Sequence, residues 1–439
     1  MKLLDLLPAF ARRSALSFGL RFGGLALQFV GAILIARVLG AEGYGIYTYA
    51  FSIVVVTGAF LGFGFVPLAV RELPRYLSLQ EHGKVWGFLM SGFWLIVMSG
   101  AGAAAILVVL IWSGAVVLAI SWPLVALAAV FQTLILGLSS TLNGFHRVLQ
   151  SQFIETVIRQ GLFLVVIGGL ALWGYKFTPT RLFGLSMVMA LLVLLMQILR
   201  VQQAMSAETS AILPAAAYDM RRWLTAGLPL MGIAILTQLQ MSLDVLMIGA
   251  LADATAVGRY RAAARGAEMV VIANGIALQL LEPLLSRANT LGVRAEIQRL
   301  ISHSAMVSAA LSVAIAVPLF LGASYYLHLF GTEFVSGAPI LRILVTGYLI
   351  GFLCGPVTVI LITLGRERVV LVVTLCGLAI NLAINYFFIP RYGITAAAVA
   401  TVISGAGAKV TLLVVVLRAS PFDPTPGALI LRLRRLRDG

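Results

Sequence analysis

Residues 225–282 read TAGLPLMGIAILTQLQMSLDVLMIGALADATAVGRYRAAARGAEMVVIANGIALQLLE. This stretch is apolar enough for two membrane-spanning helices. It nevertheless contains polar and charged residues, among them Gln238, Gln240, Asp244, Arg261, Arg265, Glu268, Gln279 and Glu282. A charged side chain at the centre of a spanning helix costs about 2.5–3.5 kcal/mol, so it persists where it pairs, reaches the interface or faces water. The stretch therefore predicts a helical membrane protein with a polar interior.

The polar positions follow helical spacing. In the second helix they recur at steps of four and three, which places them along one face. That stripe consists of Arg261, Arg265, Glu268, Ile272, Gly275, Gln279 and Glu282. The preceding helix keeps the same register at Thr237, Gln240, Asp244 and Ile248. Two such stripes predict the wall of a cavity, with Gln240 and Gln279 as secondary polar lining.

The composition places the whole chain in a membrane. Of its 439 residues 61% are hydrophobic and 11% are charged, whereas soluble domains carry about 25% charged residues. The formal charge of +15 could indicate nucleic acid, but the basic residues fall between apolar runs rather than in one patch. That arrangement is typical of the positive-inside pattern, and we expect no nucleic-acid partner.

Apolar runs long enough to span a membrane, which takes about 20 residues, number about twelve. Their approximate bounds are 14–36, 45–68, 86–112, 115–141, 157–175, 181–201, 225–250, 257–284, 303–326, 338–363, 369–389 and 394–417. Basic residues concentrate after the even-numbered runs and in the C-terminal tail, which predicts that both termini are cytoplasmic. The predicted fold class is an all-α polytopic membrane protein with 12–14 transmembrane helices.

The polar stretch 202–222 divides the chain nearly in half. We interpret it as a cytoplasmic linker between a six-helix lobe at 1–201 and a second at 223–417, followed by a basic cytoplasmic tail at 418–439. Because each lobe has an even number of spans, the two lobes would be related by a pseudo-two-fold axis along the membrane normal.

Several intramembrane residues are candidates for binding. Arg21 and Gln28 share a face of the first helix, where Arg21 either reaches lipid headgroups or binds an anionic substrate. Arg261 and Arg265 form a like-charge pair that needs a nearby anion. Asp244, Glu268 or a phosphate could each supply it.

Asp244 and Glu268 also admit a second interpretation. Either carboxylate could serve ion coupling as a cation or proton site, since intramembrane acids often form relays; the alternative is a salt bridge to the arginines. Asn381 and Asn385 lie one turn apart and form interhelical hydrogen bonds or line the cavity. Lys409 either reaches the interface or takes part in function.

Nothing in the sequence indicates a cofactor, a metal or an enzyme active site. The four histidines are dispersed without ligand spacing, and Cys354 and Cys376 lie in apolar runs as packing residues. The predicted external loops are too short for an external catalytic domain.

Three motifs carry a family resemblance. The first is Ala36–Gly40 (ARVLG) followed by Gly43–Tyr47 (GYGIY), and the second is Asp244 followed by Ala254–Ala263. The third is Ile389–Thr401. With these motifs the chain resembles the polysaccharide (O-antigen-type) flippase family of the multidrug/oligosaccharidyl-lipid/polysaccharide exporter superfamily. That family usually has a glycine where this chain has Ala396.

The resemblance implies a two-lobed transporter, not an enzyme, in the bacterial cytoplasmic (inner) membrane. Its cargo would be an undecaprenyl-pyrophosphate-linked oligosaccharide, moved by alternating access for surface polysaccharide synthesis. The phosphate contacts are expected from Arg21, Arg261 and Arg265, because guanidinium groups match phosphate oxygens. The expected partners are this cargo and membrane lipids, together with polysaccharide polymerases and glycosyltransferases.

Three alternatives stay open. A lipid II-type flippase would share the fold and a cationic cavity. A drug/cation antiporter of the same superfamily would need a net acidic cavity, whereas these charges are mainly basic. A polytopic polysaccharide polymerase or ligase would be expected to carry a large external loop.

Overall fold

The computed structural model describes residues 3–113, 119–208, 215–291 and 294–426. Within these ranges all regular secondary structure is helical and there is no strand. The predicted all-α class is confirmed.

Fifteen α-helices, one π-helical turn and one 3-10 turn follow one another in the described ranges. They are α1 (Leu3–Leu61), α2 (Phe65–Ser78), α3 (His82–Trp112), α4 (Trp122–Gly144), α5 (Val148–Gln152), a π-helical turn (Phe153–Ile158), α6 (Arg159–Leu172), α7 (Pro179–Glu208), α8 (Met220–Leu251), α9 (Ala254–Leu291), α10 (Arg294–Leu321), α11 (Ala323–His328), a 3-10 turn (Thr332–Gly337), α12 (Ala338–Leu353), α13 (Val357–Thr363), α14 (Glu367–Tyr392) and α15 (Ile394–Ala419).

Twelve helical segments correspond to the twelve predicted spans when α1 is counted as two helices. Ten are long and apolar enough to cross a membrane within the residues searched. The first of them, Phe22–Leu61, consists of two helices because Gly40 interrupts α1 with φ 68°, a conformation that glycine adopts without steric penalty. The charged helix α9 adds the twelfth, with 38 residues.

Some spans begin or end at other residues than predicted. The run predicted at 115–141 becomes helical at Trp122, where a proline at the first turn favours a helix start; residues 114–118 lie outside the described chain. The run predicted at 45–68 ends at Leu61, because Phe63 and Gly64 turn the backbone with φ 43° and 73°.

A more consequential difference concerns the span predicted at 157–175. The helix begins at Val148 and continues through the π-helical turn into α6 without interruption. Residues 155 and 159 therefore lie inside a helix instead of at its entrance. The predicted linker 202–222 is also partly helical, since α7 continues to Glu208 and α8 begins at Met220.

The chain forms two compact units, Met1–Leu246 and Met247–Gly439, with the boundary inside α8. In the first unit α2 anchors the start of α8. The rings of Phe65 and Phe88 stack at 5.0 Å, and Trp223 meets Phe88 edge-on at 5.4 Å. The indole nitrogen of Trp223 donates to the Tyr76 hydroxyl at 2.8 Å.

A buried carboxylate reinforces this anchor. Glu72 is 3% exposed and forms ion pairs with Arg71 at 3.1 Å, Arg75 at 3.5 Å and Arg222 at 3.2 Å. A buried charge needs such compensation. The residues that follow the predicted linker are thereby attached to the first unit.

In the second unit α15 packs against α12 and α14, and α9 packs against α10 and α12. Small residues permit the close approach of α9 to α11, because a side chain at Gly266 would collide with the Tyr326 ring. Ala262, Ala263 and Ala267 of α9 are fully buried. One side of α9 is therefore a packing surface, which leaves its other side for the charged stripe.

Candidate functional site

The second unit contains a charged triad on α9. The Glu268 carboxylate accepts from Arg261 Nη1 at 2.5 Å through one oxygen and from Arg265 Nη1 at 3.0 Å through the other. The three side chains are 23–26% exposed. Glu268 is thus an anion that relieves the predicted like-charge pair, and the three residues together carry two positive charges and one negative charge.

Helical geometry brings these three residues together. Positions 261, 265 and 268 are separated by four and three residues, so they lie on one face of α9. The helix begins after Asp253, whose carboxylate accepts from the Ala256 amide at 2.6 Å, as helix N-caps commonly do. Since the alanine side of α9 is buried, the triad lies on the less buried side.

Two further predicted residues of the second unit, Asn381 and Asn385, lie on α14 and are buried. Asn385 Nδ2 donates to Asn381 Oδ1 of the same helix at 2.8 Å. Asn381 Nδ2 donates to Ser404 Oγ of α15 at 3.4 Å, a contact that joins two helices.

Lys409 of α15 is half-buried and donates from Nζ to Thr358 Oγ1 of α13 at 2.9 Å. The acceptor is a neutral hydroxyl, so this hydrogen bond does not balance the charge of the ammonium group. Lys409 is therefore a second cationic position of this unit.

The remaining predicted residues contribute less to a described site. On α8 Asp244 is half-buried and Gln240 is exposed, and on α1 Gln28 is half-buried. Arg21 and Gln279 lie on helices α1 and α9, but their side chains fall outside the described part of the chain.

The first unit contains a polar cluster that the sequence reasoning missed. Arg159 donates from Nη2 to Gln132 Oε1 of α4 at 2.7 Å. One turn earlier Glu155 accepts from Ser139 Oγ at 3.1 Å, and Ser139 Oγ accepts from Gln197 Nε2 of α7 at 2.7 Å. Three helices thus converge on a single glutamate–arginine pair.

The missed signal was the spacing of Glu155 and Arg159. An acid and a base four residues apart indicate a polar helix face, but the predicted span started at residue 157 and so placed both near a loop. Glu155 lies in the π-helical turn, and Arg159 directly follows it. Such turns are rare and often occur at functional sites.

Helix α1 packs directly against this turn. A methyl group at Gly24 would lie 2.5 Å from Thr156 Cβ, so only glycine permits the observed approach. Gly24 lies three residues after Arg21 and four before Gln28, so it belongs to the face of the first helix that these two residues share. That face therefore meets the π-helical turn at Gly24.

Chemically, both units place arginine side chains on otherwise apolar helices, in contact with other polar side chains. A guanidinium group has five donors in a planar fork that matches carboxylate and phosphate oxygens. Arg159 places one nitrogen on a neutral amide, while Arg261 and Arg265 share one carboxylate. Both arrangements suit an anionic ligand.

Sequence comparisons give two family matches. A family model described as "Polysaccharide biosynthesis protein" matches residues 14–289, more than half of the chain, and one described as MatE matches residues 229–387. No curated protein sequence matches the chain.

Solved structures share the fold at low sequence identity. An inward-facing multidrug resistance MATE family transporter of the MOP superfamily has a TM-score of 0.67 and 13% identity, over 89% of this chain and 93% of its own. The lipid II flippase MurJ in an inward closed conformation has a TM-score of 0.62 and 13% identity, over 93% and 88%.

A third structure is a MOP superfamily transporter from Pyrococcus furiosus, described as having a binding pocket of reverse polarity that suggests a different function. Its TM-score is 0.60 and its identity 15%, over 91% of this chain and 93% of its own. These likenesses show the fold of the chain and confirm the predicted fold class.

Proposed function

Because the chain belongs to the polysaccharide biosynthesis protein family, the family that its motifs resemble, we propose that it is a flippase for lipid-linked oligosaccharides. In this proposal it moves undecaprenyl-pyrophosphate-linked units across the bacterial cytoplasmic membrane by alternating access. The units then enter surface polysaccharide synthesis.

The observation that carries this proposal is the Arg261–Glu268–Arg265 triad. Two arginines and one glutamate place more basic than acidic groups on one face of a helix of a membrane protein. A pyrophosphate suits such a face, because guanidinium groups bind phosphate oxygens through two parallel hydrogen bonds. Arg21 and Lys409 are further candidates for contacts with the same anion, and Gln28 and Gln240 for contacts with polar groups of the cargo.

One structural neighbour is described as a lipid II flippase, and another as a transporter whose binding pocket has reverse polarity. For this chain, the excess of basic over acidic groups in the triad supports an anionic cargo and disfavours the export of cationic drugs.

The proposal also includes location and partners. Both termini are cytoplasmic, as the distribution of basic residues predicts. The protein is a transporter rather than an enzyme, and it acts between the glycosyltransferases that build the oligosaccharide and the polymerase that consumes it. Asp244 and Glu268 are the candidates for ion coupling that the sequence indicates.

A lipid II-type flippase is the second candidate function, favoured by the MurJ-like fold. Its cargo carries the same lipid pyrophosphate, so the triad would act in the same way. The two functions differ in phenotype, because loss of lipid II transport stops cell-wall growth whereas loss of a surface polysaccharide need not.

The test is complementation of a strain that lacks the gene. Arg261→Ala, Arg265→Ala and Arg21→Ala are expected to lower surface polysaccharide at least about tenfold, since a hydrogen bond to a charged group contributes about 1.5–3 kcal/mol. The lysine variants should retain part of the activity.

Arg259→Ala is the matched control. Arg259 lies on the same helix, but it donates to the backbone oxygen of Glu333 at 3.1 Å, outside the triad. Membrane levels of each variant are measured by immunoblot. Normal surface polysaccharide in all three alanine variants would refute the anion site.

A further inference from the structure

Helix α2 packs at one end of the first unit. Its buried side shares a hydrophobic cluster with Val85 near the start of α3, Leu142 near the end of α4, Ala204 near the end of α7 and Trp223 near the start of α8. These four helices are long and apolar enough to cross a membrane. Because α2 meets them within a few residues of their ends, it lies where spanning helices leave the hydrocarbon layer, at the depth of lipid headgroups.

Two arginines lie on the outward side of α2. The side chains of Arg71 and Arg75 are 59% and 47% exposed. They are four residues apart and are therefore neighbours on one helix face, a like-charge arrangement that is unfavourable by itself. Val70 lies beside Arg71 and is also exposed, so this side of α2 offers both basic and apolar groups.

A third arginine reaches the same place from α8. Arg222 Nη2 lies 3.2 Å from Glu72 Oε2, the oxygen that Arg75 Nη1 contacts at 3.5 Å. Arg71 contacts the other oxygen, Oε1, at 3.1 Å. The Glu72 side chain is only 4% exposed, so a single buried carboxylate orients three guanidinium groups that belong to two helices.

The charges of this group do not balance. Arg71, Arg75 and Arg222 carry three positive charges and Glu72 carries one negative charge. In the part of the chain that the structure describes, no other carboxylate lies within 4.0 Å of these arginines. The three guanidinium groups have more N–H donors than the contacts with Glu72 use, and their side chains are 38–59% exposed.

We propose that Arg71, Arg75 and Arg222 bind the phosphate group of an anionic membrane phospholipid. Guanidinium donors match phosphate oxygens, and basic groups between the ends of spanning helices are suited to anionic headgroups. A phospholipid is favoured over a soluble anion because the arginines lie at headgroup depth and the exposed Val70 can contact the lipid next to its phosphate. The bound phosphate links α2 to the start of α8.

This inference goes beyond the proposed function, since it concerns a resident lipid of the first unit and not the cargo. The experiment is native mass spectrometry of the purified full-length protein in detergent. The protein is titrated with phosphatidylglycerol, which is anionic, and separately with phosphatidylcholine, which has the same phosphate but no net charge. Melting temperatures without added lipid show that each variant is folded.

The wild-type protein is expected to bind phosphatidylglycerol more tightly than phosphatidylcholine. Arg71→Ala, Arg75→Ala and Arg222→Ala should each raise the Kd for phosphatidylglycerol at least about tenfold, because each removes hydrogen bonds to a charged group. Arg71→Lys should show a smaller increase, since lysine keeps the charge but not the planar fork of donors.

Arg200→Ala is the matched control for general surface charge. Arg200 lies on α7 near Ala204, at the same end of the unit, and it is exposed. Its Nη1 donates to the neutral Gln203 at 3.2 Å, outside the cluster. This variant should bind phosphatidylglycerol like the wild type. A loss in Arg200→Ala equal to that in the three cluster variants would overturn the site, because basic charge anywhere at this end would then suffice.

Two further outcomes would also overturn the inference. One is equal affinity for the two lipids in the wild-type protein. The other is displacement of phosphatidylglycerol by an equal concentration of inorganic pyrophosphate, which would mean that the cluster binds phosphate without regard to the lipid. Arg261→Ala should leave phosphatidylglycerol binding unchanged, so failure of this inference leaves the proposed cargo site of the second unit untouched.

Discussion

The two units differ in the groups that contact an arginine inside a membrane protein. In the second unit Arg261 and Arg265 each touch an oxygen of Glu268. In the first unit Arg159 touches the neutral Gln132, and Glu155 is held away from it by Ser139. A direct ion pair joins opposite charges, whereas in the first unit each charged group contacts a neutral side chain.

This difference indicates a division of roles. The triad orients two guanidinium groups by a shared carboxylate, which suits a permanent anion site. In the first unit Arg159 is oriented by a neutral amide instead, so that contact does not join its guanidinium group to a carboxylate. Four predictions test the contrast, from the largest expected effect to the smallest.

The first prediction compares the two glutamates. Glu268→Ala leaves two half-buried arginines without their carboxylate, and we expect a loss of about 2–4 kcal/mol, near the range for a broken buried pair. Glu155→Ala should cost only about 0.5–1.5 kcal/mol, since it loses one hydrogen bond. Chemical unfolding in detergent measures both. Equal losses would contradict the distinction between direct and separated pairs.

The second prediction concerns the contact that brings α1 to the cluster of the first unit. Gly24→Ala places a methyl group against Thr156, and we expect a loss of about 1–3 kcal/mol, as for overpacking in a core. Gly23→Ala is the control, because no atom lies within 4 Å of its added methyl group. If both variants unfold at the same denaturant concentration, α1 does not pack tightly on the π-helical turn.

The third prediction concerns a variant that gives Arg159 a direct carboxylate partner, like the one that Arg261 and Arg265 have. Gln132→Glu would place a carboxylate at the position that Arg159 Nη2 already contacts at 2.7 Å. We expect the affinity for pyrophosphate to fall about tenfold, equivalent to about 1.4 kcal/mol, because Arg159 is then paired permanently. Calorimetry measures the change, and Gln132→Met serves as the uncharged control. Unchanged affinity in Gln132→Glu would exclude Arg159 from anion binding.

The fourth prediction concerns Lys409, which resembles Arg159 in donating to a neutral group. Thr358→Val removes the hydroxyl that accepts from Nζ at 2.9 Å, and we expect a loss of about 0.5–1.5 kcal/mol. Thr346→Val is the comparison, because that exposed threonine bonds only within its own helix. Indistinguishable unfolding curves for the two variants would show that the Lys409 contact contributes nothing measurable.

Much of the second unit could be predicted because its signals are local. The spacing of Arg261, Arg265 and Glu268 along one helix needs no tertiary information, since helical periodicity alone makes them neighbours. The one-turn spacing of Asn381 and Asn385 likewise makes them neighbours on α14, where they form a hydrogen bond within that helix, while Asn381 also donates to Ser404 of α15.

The cluster of the first unit could not be predicted in the same way. Gln132, Ser139 and Gln197 lie on helices other than that of Arg159 and are distant from it in sequence. Neutral polar residues in apolar runs have no periodic signature of their own. The π-helical turn at Phe153–Ile158 also has no reliable sequence signal, because its hydrogen bonds depend on packing against α1.

The sequence by itself determined that this chain is a helical membrane protein with charged residues at helical spacing in its apolar runs. That follows from apolar length, charge frequency and helical spacing, all of which are properties of residues near one another in the chain. Only the tertiary structure decided which polar groups meet across helices, such as Arg159 with Gln132 and Glu155 with Ser139. Such pairing depends on distances of a few ångströms between helices, and those distances arise from packing at positions such as Gly24 and Gly266.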